Sequence, residues 1–128
     1  MYNWQDKKVL IVEDTDVVKF FFEAALRYTK ANILWAKTGV EAVEMCKNDE
    51  SINVMLMDLM LPEMDGFTAT KEIRKFNNKL PIIAQTAYIK KNVEKNSLDA
   101  GCNEFLAKPI QLQTLLNTLD KYLSLGAA

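Results

Sequence analysis

Residues 52–66 read INVMLMDLMLPEMDG, and they contain a candidate strand together with the carboxylate that ends it. The run from Val54 to Met57 is apolar throughout, which is typical of a strand buried on both faces of a parallel sheet. Asp58 follows directly, and Pro62 excludes a helix interior in the next few residues. Ligands of open α/β sheets bind beyond the carboxyl ends of the strands. Asp58 is therefore a candidate site residue, although this stretch alone fits a helix-capping or loop-closing aspartate equally well.

Length and composition place the chain among small globular proteins. Its 128 residues are enough for one domain with a real core, so we expect residues 1–128 to form a single domain. The chain is 49% hydrophobic and 26% charged, the usual mixture for a soluble protein. A net charge of −1 gives no strong attraction to nucleic acid or anionic membranes. No apolar run could cross a bilayer and no signal peptide is evident, so we expect a cytoplasmic protein without membrane or nucleic-acid contacts.

The cysteines and the lack of histidine exclude several kinds of site. Cys46 and Cys102 lie far apart in the sequence and form neither a disulfide framework nor a metal-ligand cluster. The chain has no histidine, which excludes Ser-His and Cys-His nucleophiles as well as histidine-based zinc sites.

Apolar periodicity predicts five strands that alternate with five helices. The strands are expected at residues 9–12, 32–36, 54–57, 81–84 and 103–107. The helices are expected at residues 17–30, from 39 to about 48, 67–77, 89–100, and from 109 onward. Such alternation is typical of an α/β fold with a parallel sheet and right-handed crossovers.

Local signals predict where several helices begin and end. Thr38 and Glu41 have the spacing of a capping box, and Asp65 can cap the helix that follows it. Gly101 suits the positive φ that stops a helix, and Pro109 suits a first helical turn.

The first and last helices carry apolar stripes. The first is predicted to face the core with Val17, Phe21, Ala24, Ala25 and Tyr28. Residues 20–22 are all phenylalanine, and because they cover too wide an arc, at least one should lie near the surface. Val18 and Phe22 are then left as a candidate exposed patch for a partner, although scattered surface apolarity explains them equally well. The last helix is predicted to bury Leu112, Leu115, Leu116, Leu119 and Leu123.

Functional groups stand at the ends of four predicted strands: Glu13 with Asp14, Asp58, Thr86 and Lys108. In a parallel sheet these ends share one edge, so three carboxylates and a lysine should converge there. Clustered carboxylates favour a hard divalent cation such as Mg²⁺, and lysine can hold an anion. An aspartate in that setting can attack a phosphoryl group. Taken singly, each residue has a simpler explanation as a cap, a turn residue or a solvated lysine.

Four motifs carry a resemblance to a known family. They are VLIVEDTD at residues 9–16, MLMDLMLPEMDGF at 55–67, PIIAQTA at 81–87 and AGCNEFLAKPI at 100–110. Over residues 7–124 the chain resembles a response-regulator receiver domain of bacterial two-component phosphorelays. The resemblance implies a flavodoxin-like (βα)5 fold with a five-stranded parallel sheet of order 2-1-3-4-5 and helices on both faces. The stretches PIIAQTAY and GFTATKEIRK further resemble receivers of hybrid sensor histidine kinases.

The resemblance implies a role for each strand-end group. Asp58 would be the phosphoacceptor for a histidine kinase or a histidine phosphotransfer domain. Mg²⁺ would be held by Asp58, by Asp14 directly, by Glu13 through water and by the backbone carbonyl of Met60. Lys108 would pair with Asp58 at rest and with the phosphoryl group afterwards. The leading acidic pair is Glu-Asp rather than Asp-Asp, which is a mild departure from the family pattern.

The resemblance also implies a conformational switch. Thr86 would move to bond the phosphoryl group, and Phe105 would turn inward with it. The face of the fourth helix, fifth strand and fifth helix would be reshaped, and a homodimer could form there. Phe105 has no hydroxyl, so the switch would work by packing. Met60 and Tyr88 are bulky and would shield an acyl phosphate from water.

Other classes of function are weaker interpretations. A domain that phosphorylates itself is not an enzyme with turnover, although a parent hybrid chain would be a histidine kinase. A Mg²⁺-dependent phosphohydrolase would need a lid that this short chain lacks. A phosphate-independent interaction module would not need the intact Asp58, Thr86 and Lys108. A flavodoxin-like cofactor binder would need a phosphate loop after the first strand, where Glu-Asp-Thr-Asp would repel phosphate.

Overall fold

A computed structural model of the protein describes residues 2–87 and 92–124. Within these ranges the strands form one parallel sheet with the order β2-β1-β3-β4-β5. The strands are β1 (Lys8–Val12), β2 (Asn32–Ala36), β3 (Val54–Asp58), β4 (Ile82–Thr86) and β5 (Glu104–Ala107). The predicted fold class and strand order are confirmed.

The helices connect consecutive strands, and the last follows β5. They are α1 (Asp16–Leu26), α2 (Gly39–Asn48), α3 (Gly66–Arg74), α4 (Val93–Ala100) and α5 (Leu112–Leu123). The predicted start of the fourth helix and Tyr88 lie outside the described residues. Among the described residues, no helix has the length and apolarity needed to cross a membrane.

The sheet separates two apolar layers. On one side, α2, α3 and α4 pack against alternate strand residues, among them Ile82 and Ala84 of β4. On the other side, α1 and α5 pack against the intervening residues, including Ile83. Every residue of β3 and β4 is buried. Because these central strands are covered on both faces, their sequences are nearly continuous apolar runs.

The predicted helix signals are confirmed except at Pro109. The hydroxyl of Thr38 accepts a hydrogen bond from the Glu41 N–H at 3.0 Å, and Asp65 Oδ1 caps α3. Gly101 has the expected positive φ, 120°. The prediction that Pro109 lies in the first turn of a helix is wrong. Gln111 is still extended, with φ −73° and ψ 142°, so that α5 begins only at Leu112.

The predicted orientation of α1 is wrong. Val17, Phe21, Ala24 and Tyr28 are exposed, and Ala25 is half-buried. The buried residues of α1 are Phe22, which is 1% exposed, and Leu26. Three consecutive phenylalanines leave the rotation of a helix undetermined by periodicity. A 3₁₀ turn over Arg27–Thr29 also ends the α-helical spacing before Tyr28 is reached.

Because α1 is rotated relative to the prediction, its exposed apolar residues are not the predicted ones. Phe22 is core and Val18 is half-buried, so the candidate patch of Val18 and Phe22 does not exist as an exposed surface. The expectation that one phenylalanine lies at the surface is confirmed by Phe20, which is 71% exposed. On α5, Leu115, Leu119 and Leu123 are buried and Leu116 is half-buried, whereas Leu112 is exposed, contrary to the prediction.

Candidate functional site

The strand-end groups meet at the carboxyl edge of the sheet. Glu13 and Asp14 follow β1 and Asp58 ends β3, and one carboxylate oxygen from each lies within 4.8 Å of the others. Lys108 follows β5 and reaches the same place. Glu13 and Asp58 are buried, while Asp14 is exposed. The predicted convergence of these side chains is therefore observed, and the site opens to solvent on the side of Asp14.

Lys108 is shared between two carboxylates. Its Nζ lies 2.9 Å from Glu13 Oε2 and 3.4 Å from Asp58 Oδ2. The predicted contact with Asp58 is present, but the shorter contact is with Glu13. Sequence reasoning missed this second pairing. Glu13 Oε1 also accepts a hydrogen bond from the Thr15 N–H at 3.2 Å, so the start of α1 helps to hold the carboxylate in place.

Asp58 is fixed by the chain that follows it. Its Oδ1 accepts a hydrogen bond from the Met60 N–H at 3.0 Å. The Leu59 N–H donates to the Gln85 carbonyl at 3.1 Å, which ties this loop to β4. The Met60 N–H therefore contacts the site directly, and the role of the Met60 carbonyl as a metal ligand stays a prediction. The Met60 side chain is exposed.

The environment of Asp58 disfavours its negative charge. Burial raises the pKa of Asp58 to about 6, from an ordinary value of 3.8. The Met60 N–H acts against this increase, the negative charge of Glu13 adds to it, and Lys108 opposes it. The Met60 N–H and the Lys108 ammonium therefore do not fully offset the burial of this carboxylate.

The donor set fits a hard divalent cation. All three clustered side chains offer carboxylate oxygens, and no softer ligand is among them. Such a cation prefers oxygen ligands and retains several waters, which the exposed side of Asp14 can accommodate. Binding would also relieve the repulsion between Asp58 and Glu13, which adds to the effect of burial on the Asp58 pKa.

Thr86 and Phe105 lie near the site on neighbouring strands. Thr86 is buried at the end of β4, and its carbonyl accepts a hydrogen bond from the Lys108 N–H at 2.9 Å. Phe105 is paired in register with Ala84 and is half-buried. It packs against the layer formed by α2, α3 and α4.

No role was predicted for Gln85, a buried polar residue beside the site. Gln85 is fully buried, next to Asp58 in the sheet register. Within residues 2–87 and 92–124, neither its Oε1 nor its Nε2 has a hydrogen-bond partner. The signal available in the sequence was a single amide within the apolar strand IIAQT.

Comparisons with known proteins place the chain in a family. Residues 9–120 match the response regulator receiver domain. This chain belongs to that family and is a receiver domain of the two-component phosphorelay class. The predicted resemblance is thereby confirmed.

One curated relative is a sensor kinase that is much longer than this chain. The chain is 42% identical over 110 residues to the autoinducer 2 sensor kinase/phosphatase LuxQ of Vibrio parahaemolyticus, covering 84% of this chain. It spans 13% of that protein and less than half of each other curated relative compared.

Two solved structures are particularly informative. The receiver domain of the sensor histidine kinase PA1611 from Pseudomonas aeruginosa is 34% identical, with a TM-score of 0.84 over 92% of this chain and 98% of that one. It contains a magnesium ion coordinated in its active site cleft. The receiver domain of Ssk1 from Saccharomyces cerevisiae is 30% identical, with a TM-score of 0.88 over 95% of this chain and 92% of that one. It was crystallised with the histidine phosphotransfer protein Ypd1.

Proposed function

We propose that Asp58 accepts a phosphoryl group from a phosphohistidine of a partner protein. The observation that carries the proposal is the buried Asp58 carboxylate, within 4.8 Å of the Glu13 and Asp14 carboxylates and 3.4 Å from Lys108 Nζ. Glu13, Asp14 and Asp58 would hold Mg²⁺, which offsets the charge of the phosphoryl oxygens when bound. The PA1611 receiver, which contains magnesium in its cleft, supports this assignment.

Asp58, Lys108 and the Met60 N–H would have different roles in the transfer of the phosphoryl group. A carboxylate oxygen of Asp58 attacks phosphorus, the P–N bond of the phosphohistidine breaks, and the histidine leaves with the electron pair of that bond. The product is an acyl phosphate on Asp58. Lys108 is close enough to pair with the carboxylate before transfer and with the phosphoryl oxygens afterwards. The Met60 N–H holds Oδ1, which leaves Oδ2 on the side of Lys108.

Thr86 and Phe105 would transmit the change. Thr86 would donate its hydroxyl to a phosphoryl oxygen, and Phe105 would repack on β5. Support comes from their positions on adjacent strands and from the partial burial of Phe105. The surface changed in this way would be that of α4, β5 and α5.

The phosphodonor would be a histidine kinase or a histidine phosphotransfer domain that docks on α1. The complex of the Ssk1 receiver with Ypd1 supports this class of partner. On α1, Val17 and Phe20 are exposed apolar residues, and the helix starts directly after the acidic pair. We expect Phe20→Lys to slow transfer from a phosphohistidine protein about tenfold or more while leaving phosphorylation by acetyl phosphate intact. Equal loss with both donors would contradict docking at Phe20.

The decisive experiment is phosphorylation by acetyl phosphate, followed by intact-protein mass spectrometry. Wild type with Mg²⁺ should gain one labile phosphoryl group, and EDTA should prevent it. Asp58→Asn should gain none, whereas the control Asp65→Asn, which changes only a helix cap, should behave as wild type. Phosphorylation of Asp58→Asn to the wild-type extent would refute Asp58 as the acceptor. No adduct on wild type, together with no binding of beryllofluoride, would favour a phosphate-independent interaction module.

A further inference from the structure

A cavity lies between α1 and the loop that follows β5. Its volume is about 410 Å³, which is within the usual range of small-molecule sites. Most of its wall is apolar. Its lining includes Val18, Phe21 and Phe22 of α1, Pro109 and Ile110 of the loop, and Gln85 of β4.

Two polar side chains, Gln85 and Lys108, line this cavity. Residues alternate between the two faces of a strand, and Ile83, two residues earlier, packs against α1 and α5. Gln85 is 0% exposed, and in the part of the chain that the structure describes both of its amide atoms lack a hydrogen-bond partner. Lys108 also lines the cavity, but its Nζ is held by Glu13 and Asp58.

A buried side-chain amide without a hydrogen-bond partner is energetically unfavourable. Nearly all buried polar groups in proteins have a partner, and an apolar residue of the same shape avoids the cost of desolvation. A side-chain amide presents a donor and an acceptor side by side. The group that complements it best also carries an acceptor beside a donor, as a primary amide or a lactam does.

We propose that this cavity binds a small molecule with a ring-sized apolar body and an amide or lactam head group. The head group pairs with Gln85, and the body packs against the side chains of Phe21, Phe22 and Ile110. The pairing removes the unsatisfied hydrogen bonds, and the apolar wall accounts for the rest of the ligand. The site lies beside the phosphoacceptor site, yet its ligand chemistry is unrelated to phosphoryl transfer.

Entry of the ligand requires movement at the rim. Water does not reach either amide atom, so side chains that cover them must shift. Phe21 is exposed and Ile110 is half-buried, and both line the cavity, which makes them the residues expected to move. Binding should therefore change the environment of the α1 residues near Phe21 together with that of Gln85.

The test is an NMR titration of ¹⁵N-labelled protein with benzamide and 2-pyridone as probes and toluene as the control that lacks a head group. We expect both amide probes to shift the side-chain NH₂ signals of Gln85 and the backbone signals near Phe21 and Ile110. Gln85→Leu and the unbranched Gln85→Met should bind benzamide about tenfold more weakly, since two hydrogen bonds are lost. Both variants should bind toluene as well as wild type.

Two results would overturn the proposal. One is that neither amide probe moves the Gln85 NH₂ signals up to its solubility limit. The other is that benzamide binds Gln85→Leu or Gln85→Met as tightly as wild type. Two apolar variants are used so that misfolding of one does not leave the question open. Because binding is read directly in unphosphorylated protein, the result is independent of whether Asp58 accepts a phosphoryl group.

Discussion

At the scale of single residues, Asp58 is held in an environment that opposes its charge. Its carboxylate is buried beside that of Glu13, and its pKa is raised to about 6. In the metal-free protein at neutral pH, the ionised Asp58 therefore destabilises the folded state relative to the unfolded state. A site for transferring a highly charged group is thus maintained at a cost in stability, which a bound cation would reduce.

Asp58→Asn should stabilise the metal-free domain. Removing the unfavourable charge should raise the free energy of unfolding in EDTA at pH 7 by about 1–3 kcal/mol, the range that a pKa shift of this size allows once the lost contact with Lys108 is subtracted. Urea unfolding of wild type and variant measures the difference. Adding Mg²⁺ should stabilise wild type more than the variant. A variant that is less stable than wild type in EDTA would show that Lys108 already compensates for the charge.

At the scale of secondary-structure elements, α1 is oriented by one aromatic residue among three. Phe22 packs with Leu26 in the layer shared with α5, whereas Phe20 is exposed on the same helix. Phe22→Ala should lower the free energy of unfolding by about 3–5 kcal/mol because it leaves a cavity in the core. The matched variant Phe20→Ala should change it by no more than about 0.5 kcal/mol. Chemical unfolding of both compares them directly, and similar losses would mean that α1 is rotated from the described orientation.

The strands and α1 show which features could be predicted from the sequence and which could not. The strands were recognisable because buried parallel strands require apolar runs, and the groups that follow these runs had to share one edge. The rotation of α1 was not recognisable, since three phenylalanines in succession have no single apolar phase. In β4, the polar pair Gln85-Thr86 concealed the last two residues of the strand. The Lys108–Glu13 contact depends on how β1 and β5 are brought together in space, which local pattern does not encode.

At the scale of the whole molecule, the two edges of the sheet contribute to stability with opposite sign. At the carboxyl edge, Asp58 is held in an unfavourable charged state. At the amino edge, Asp49 accepts hydrogen bonds from Ser51 and forms an ion pair with Lys8 Nζ at 3.0 Å, linking the start of β1 to the turn after α2. The hydrogen bonds from Ser51, followed by that from Lys8, lower the pKa of Asp49 to about 2.

The contribution of Asp49 to the stability of the folded state should fall as the pH is lowered. Because its pKa is lower in the folded state than the ordinary value of 3.8, its stabilising effect is present above that value and is lost as the pH falls through about 2. Asp49→Asn should therefore reduce the urea midpoint at pH 7, and the difference from wild type should shrink between pH 4 and pH 2.5. Asp99→Asn is the control, because its ion pair with Lys95 lies on the exposed surface of α4 and should contribute little at any pH. A difference at Asp49 that stays constant over this range would assign its effect to hydrogen-bond geometry rather than to charge.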